Sequence, residues 1–210
     1  MFRSEIEPEV RSGRRRRPPL VTRDQALSVA YQLIREEGPD GLSMRKLATG
    51  LSVSLPTVYT SIQSKEALVR DVQRQIVDEI EVAALTALQR ASAAPAALLG
   101  VLLASLAEWT IDNPTLADFL LTTDLAEEAR QRVAVPSRTR LGLTIDDLCR
   151  SGHIPRGNAA AHATFAAAEL RTLMALCRDG SSALEVGIWT DAVEASLTCG
   201  LRRLSERLNG

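Results

Sequence analysis

Cysteine, histidine and aromatic residues are scarce in this 210-residue chain, and alternating β-branched runs are absent. The three cysteines, Cys149, Cys177 and Cys199, stand apart with no C-x-x-C spacing. That argues against a disulfide framework or a zinc site and fits a reducing cytoplasm. The two histidines, His153 and His162, have no second His or Cys at ligand spacing, so no metal or other cofactor is expected. No nucleophile–base pair, paired carboxylates or glycine-rich phosphate loop stands at usable spacing, which argues against an enzyme. The amino terminus has no apolar h-region, so a signal peptide is not expected. The longest apolar run, Leu98 to Ala107, is about half the length a bilayer requires and reads as a buried helix, so no membrane association is expected.

What is present is helix-forming sequence. Hydrophobic residues make up 45% of the chain and charged residues 24%, enough for a packed core under a polar surface. Ala and Leu dominate after residue 80, and Gly and Pro fall between helical patterns, so the expected class is all-α. Residues 1–19, with Pro8, Pro18 and Pro19, are expected to be disordered. Thr22 followed by Gln25 makes a capping box for a first helix, with Leu27, Ala30, Tyr31 and Ile34 on its inner face and Gly38-Pro39 as its stop. Two short helices are expected over about 43–50 and 54–60, with a turn at 51–53 between them. The second has an inner face of Leu55, Val58 and Ile62, and Pro56 is tolerated in its first turn. Ser64 caps a long helix over about 65–91, with Leu68, Val72, Ile76, Ile80, Ala84 and Leu88 recurring every four residues. Further helices are expected at roughly 95–112, 115–122, 124–134, 137–151, 158–179 and 184–207.

The net charge of −1 hides an asymmetry. Residues 11–75 carry 12 Arg/Lys against 6 Asp/Glu, a net +6, whereas residues 76–210 carry 12 against 17, a net −5. A basic first third on an acidic body predicts a polyanionic partner at the N-terminal end. Arg14 to Arg17 form a basic arm that could follow phosphates or a minor groove.

The informative segment runs from Gly41 to Leu68. Two short helices with a tight turn between them need a small residue where they cross, and Ala48 supplies it, with Val53 and Val58 filling the wedge. The second helix is left with short polar side chains, Ser54, Thr57 and Thr60, facing outward. A helix of that size fits a major groove and brings its backbone close to base edges. Ser43 and Arg45 open the first short helix, whose hydroxyl-capped N-terminus is a phosphate seat.

In these residues the chain resembles the tetracycline-repressor (TetR) family of transcriptional regulators. The carriers are Gly38…Gly41, Ser43…Arg45-Lys46-Leu47-Ala48, Val53-Ser54…Thr57-Val58-Tyr59 and Ser64-Lys65-Glu66-Ala67-Leu68. They lie within residues 20–70, about a quarter of the chain. The resemblance implies a three-helix helix-turn-helix domain over 20–67, preceded by the 1–19 arm, and a helical ligand-binding and dimerisation bundle over 68–210. It implies a cytoplasmic homodimer on double-stranded operator DNA, acting as a repressor that a small-molecule effector releases. The alternatives are an activator, or a DNA-binding protein without a small-molecule effector, gated by a partner or organising the nucleoid. The DNA-binding residues implied are Ser43, Arg45, Ser54, Leu55, Pro56, Thr57, Tyr59, Thr60 and Lys65, with Tyr59 and Lys65 on phosphates. Two positions depart from the family pattern. Ser52 stands where the turn usually has Gly, and Ser61-Ile62 where His-Phe is common, so an imidazole contact to phosphate is lost.

In the body, helices of this family line an effector pocket. The candidates are Leu102, Leu106, Trp109, Phe119, His162, Phe165 and Glu169, each equally consistent with core packing. With few aromatics the pocket would be lined mostly by Leu, Ala and Met and favour an apolar ligand. The small-residue face of Ala160, Ala163, Ala167 and Leu170, and the stripe of Trp189, Val193, Leu197, Gly200 and Leu204, are implied to pair two protomers through a four-helix bundle, or else to form intrachain core.

Overall fold

The computed structural model describes residues 21–91, 97–123, 147, 149–152, 159–178 and 182–209. Among them the regular elements are eight α-helices and one 3-10 turn. The helices are α1 (Arg23–Glu37), α2 (Met44–Gly50), α3 (Leu55–Ser61), α4 (Lys65–Arg90), α5 (Leu98–Asp112), α6 (Pro114–Thr122), α7 (Ala159–Cys177) and α8 (Ala183–Asn209), with the 3-10 turn at Pro39–Gly41. The basic arm, His153 and the expected helix over 124–134 lie outside the described residues, as does nearly all of the one over 137–151.

Local chemistry sets the element ends. Thr22 caps α1 through the amide of Gln25, and the Gln25 side chain accepts from the amide of Thr22, both halves of the expected box. Gly38 ends α1 at φ 76° and ψ −163°, a region essentially reserved for glycine. Ser43 and Ser64 cap α2 and α4 by accepting from Lys46 and Ala67 amides at 3.2 and 3.0 Å. The inner face of α1 is as expected at Ala30, Tyr31 and Ile34, with Ala26 taking the place of Leu27. Ala26, Ala30, Tyr31 and Ile34 are buried, whereas Leu27 is only partly so. Ala26 and Ala30 have no bulk to hold neighbours away, and α4 and α6 close on that side.

Head and body share one core from Val21 to Leu201. The first half of α4 is clamped to α1. Arg23 Nε donates to Asp71 at 2.7 Å, Arg74 donates to the other Asp71 oxygen at 3.1 Å, and the Tyr31 hydroxyl donates to Glu79 at 2.6 Å. Burial, then the Glu79 carboxylate, pushes the Tyr31 phenol well above its ordinary range, so it donates that bond at all physiological pH values. Fully buried Gln73 donates to Thr123 at 3.1 Å and ties α4 to the end of α6. Beyond Val77 no residue of α4 is fully buried. At its other end α6 meets the head, where the Thr115 hydroxyl donates to the Arg35 carbonyl of α1 at 2.7 Å. Arg171 of α7 donates to the Leu120 and Leu121 carbonyls at 3.2 and 2.8 Å, satisfying groups left open at the C-terminus of α6.

Candidate nucleic-acid interface

The head is built around Leu47 and Val58, both fully buried, with Ala48 and Ile62 beside them. Burying one such aliphatic side chain is worth about 2 kcal/mol, so this pair fixes how α3 crosses α2. The Val53 amide donates to the Ala48 carbonyl at 3.0 Å and closes the turn where the small residue sits. Ser52 takes φ 55° in that turn, the left-handed conformation that explains why glycine is usual there. Ser52→Gly is expected to raise stability by about 1 kcal/mol, read as a rise in the midpoint of chemical unfolding at unchanged slope. An unchanged midpoint would mean the hydroxyl offsets the strain.

With Val58 and Ile62 turned inward, α3 shows solvent a continuous outer face. Ser54, Pro56 and Thr60 are exposed, Tyr59 is 54% exposed, and Thr57 is partly buried among them. Leu55 is 40% exposed. The inner-face assignment for Leu55 is therefore corrected. It occupies the first residue of α3, where the helix has just left the turn and α2 does not cover it, and Val58 and Ile62 alone seal the wedge. The hydroxyls on α3 are held in place: Ser54 Oγ and Thr57 Oγ1 lie 2.8 Å apart, and Thr60 and Ser61 both donate to the Thr57 carbonyl, at 2.7 and 3.2 Å.

Cations flank this face. Arg45 and Lys65 are exposed, at the first turns of α2 and α4 respectively. Ser43, partly buried, keeps its hydroxyl on the α2 amide. Lys46, a carrier of the resemblance but not among the expected DNA contacts, is also exposed but ion-paired with Glu37 of α1. All nine candidate DNA-contacting residues thus belong to α2, α3, the start of α4 or the caps next to them.

The candidate pocket residues are placed differently. Leu102, Leu106, Trp109 and Phe119 are buried, and Phe165 packs against the core. Glu169, partly exposed, accepts from the Ser196 hydroxyl at 3.0 Å, and His162 lies within α7. Among the described residues, one partly open cleft of about 650 Å³ lies between α5 and α8, and none of these seven residues lines it. Of the stripe on α8, Val193 and Leu197 are buried within the chain, Trp189 and Leu204 are partly buried, and the Phe165 ring lies over Gly200. Among the described residues no group of acidic, histidine or cysteine side chains could hold a metal ion, and no helix is long and apolar enough to cross a membrane.

Two short helices locked at a tight turn, the second presenting a polar face between exposed cations, define a helix-turn-helix protein. Residues 26–72 match the model of the bacterial regulatory proteins, tetR family. Tetracycline repressor protein class D of Escherichia coli and class H of Photobacterium damsela subsp. piscicida are each 40% identical over 48 residues, which is 23% of this chain and 22% of theirs. The match therefore spans less than a quarter of those relatives' length. Over this head domain the chain is similar to the bacterial regulatory proteins of the tetR family. The wider fold is shared with the crystal structure of RolR in complex with resorcinol, at 16% identity and a TM-score of 0.68, over 88% of this chain and 93% of that one.

Proposed function

We propose that the protein is a dimeric transcriptional repressor that binds operator DNA through α3 and is released by a small molecule bound in its helical body. The observation that carries this reading is the outer face of α3, where Ser54, Tyr59 and Thr60 are exposed and Thr57 partly so, over an inner side sealed by Val58 and Ile62. In this reading α3 enters the major groove. The hydroxyls of Ser54, Thr57 and Thr60, with Leu55 and Pro56, approach base edges, while Ser43, Arg45, Tyr59 and Lys65 hold phosphates. Residues 20–67 act as the reading head and 68–210 as the sensing and dimerising body, and the protein works on DNA in the cytoplasm.

Dimerisation is supported by a face that the chain itself leaves open. On α8, Leu184 is 75% and Ile188 57% exposed, and on α7 Leu176 is 39% exposed beside exposed Ala168, Thr172 and Ala175. Small residues let helices from a second copy approach closely. The contacts of α6 support a route for release: it bonds to α1 through Thr115 and to α7 through Arg171. A ligand that prefers one placement of the body helices shifts the head by as much as its affinities for the two states differ. The test is fluorescence anisotropy with a duplex from upstream of the protein's own coding region, alongside sedimentation. A dimer bound with a steep inverse salt dependence is expected. A monomer, or binding indifferent to salt, refutes the reading.

A further inference from the structure

Lys46 is an exposed cation of the head that is neutralised within the head. The 3-10 turn at Pro39–Gly41 folds back on α1, and a Cβ added at Gly41 would lie 2.8 Å from the Cβ of Glu37. That close approach seats the start of α2 beside the end of α1. Lys46 Nζ, nine residues on, donates to the Glu37 carboxylate as an ion pair. Arg45 and Lys65, the other two cations on the elements that flank α3, make no ion pair among the described residues. Helix stability does not account for Glu37, because a carboxylate in the last turn of α1 meets the negative end of the helix dipole. Tertiary stability does not account for the pair either. Its side chains are 46% and 45% exposed, and ion pairs so open to water contribute little. Its main consequence is electrostatic: one fewer free cation beside the outer face of α3.

We propose that Glu37 is a specificity-determining residue that holds Lys46 away from phosphates and so restrains binding to DNA of any sequence. The proposal rests on the reading of α3 as the groove element and adds a residue of α1 that acts against binding. Sequence-independent binding comes almost entirely from cations on phosphates, each contact releasing close to one counterion. Base contacts made by α3 do not depend on that count. A regulator meets a vast excess of competing sites, so a free Lys46 would strengthen the wrong complexes along with the right one. Pairing it inside the head lowers the sequence-independent baseline and leaves the reading face untouched. Glu36 and Asp40, the acids on either side of Glu37 in the chain, are exposed and make no ion pair among the described residues. They add negative charge without occupying a cation.

The test is fluorescence anisotropy on a duplex of scrambled sequence over a range of salt, comparing the unaltered full-length protein with its variants. Glu37→Gln is expected to steepen the fall of log K with log salt by about one per engaged head, and to tighten binding about fivefold per head near physiological salt. Glu36→Gln removes the same charge from the same turn without releasing a lysine and is expected to keep the original slope. Lys46→Gln alone is also expected to keep it, and Lys46→Gln added to Glu37→Gln to restore it. Thermal midpoints of all variants should stay within about 2–3 °C, since the pair is open to solvent. A slope unchanged in Glu37→Gln, steepened equally in Glu36→Gln, or lowered by Lys46→Gln alone overturns the proposal. A duplex from upstream of the coding region separates it from the reading it rests on. Steep salt dependence there, with equal slopes for every variant, refutes the restraint and leaves the reading head standing. Binding indifferent to salt on both duplexes refutes both.

Discussion

Thr57→Glu is expected to weaken operator binding by about two orders of magnitude or more while leaving the far-UV helical signal unchanged. Thr57 stands mid-face on α3, its side-chain oxygen 2.8 Å from Ser54 Oγ. In the proposed complex a carboxylate there would sit in a groove flanked by two rows of phosphates. Like charges brought together at an interface cost several kcal/mol, which corresponds to a hundredfold or more in affinity. The helix itself gains from the change. Ser54 is the N-cap of α3 and Thr57 holds its third position, so a glutamate side chain in place of Thr57 would complete a capping box with Ser54, at a helix end that has no side-chain cap. The Thr60 and Ser61 hydroxyls bond to the backbone carbonyl at this position, which the substitution keeps. Binding lost at an equal or higher thermal midpoint is therefore the expected pair of results. Thr57→Ser, which keeps the hydroxyl, is expected to bind within about threefold, consistent with the small cost of a lost methyl. Operator affinity retained in Thr57→Glu removes this residue from the groove and with it the central part of the proposed interface.

The head was legible in the sequence because its determinants are local. A capping box reports on four consecutive residues, and Thr22–Gln25 forms as the spacing predicts. The same holds for the caps at Ser43 and Ser64 and for the strained turn at Ser52. Leu55 shows the limit of periodicity. It is in phase with Val58 and Ile62, but whether the first residue of a seven-residue helix is covered depends on how far α2 reaches. In the body the determinants are tertiary. The α8 stripe was visible as a pattern, yet whether another protomer or α7 of the same chain covers it depends on tertiary packing that no local pattern reports. The cleft joins Glu108 to Asp191 and Glu194 across some eighty residues of chain, and no local pattern links them. The available signal was Gly100 and Gly187, two glycines inside helical patterns, where a missing side chain calls for a packing reason. At Gly100 that reason is the Glu194 carboxylate, and at Gly187 it is open space.

Gly41→Ala is expected to destabilise the protein by about 3 kcal/mol and Gly187→Ala to stabilise it by about 0.5–1 kcal/mol, opposite signs for the same chemical change. Gly41 closes the 3-10 turn against α1. A Cβ added there would lie 2.5 Å from the Leu33 carbonyl oxygen and 2.8 Å from Glu37 Cβ. The first contact cannot relax by a rotamer change, because the oxygen belongs to the main chain of α1 and accepts within its helical ladder. Either α1 shifts as a body or the turn that leads into α2 lifts away from it. Gly41 has no left-handed φ, so the cost is steric alone. For a chain of this size about 3 kcal/mol corresponds to a fall of roughly 6–12 °C in thermal midpoint. Lifting the turn also moves α2 and, through the Leu47–Val58 wedge, α3, so operator affinity should fall in parallel with stability, unlike in Thr57→Glu. Gly187 lies in α8 with nothing within 4 Å of its would-be Cβ, and alanine there restricts the unfolded chain without meeting a neighbour. An unchanged midpoint in Gly41→Ala would mean the turn does not rest on α1. The head would then lack the rigid seat from which α3 could present one fixed face to DNA.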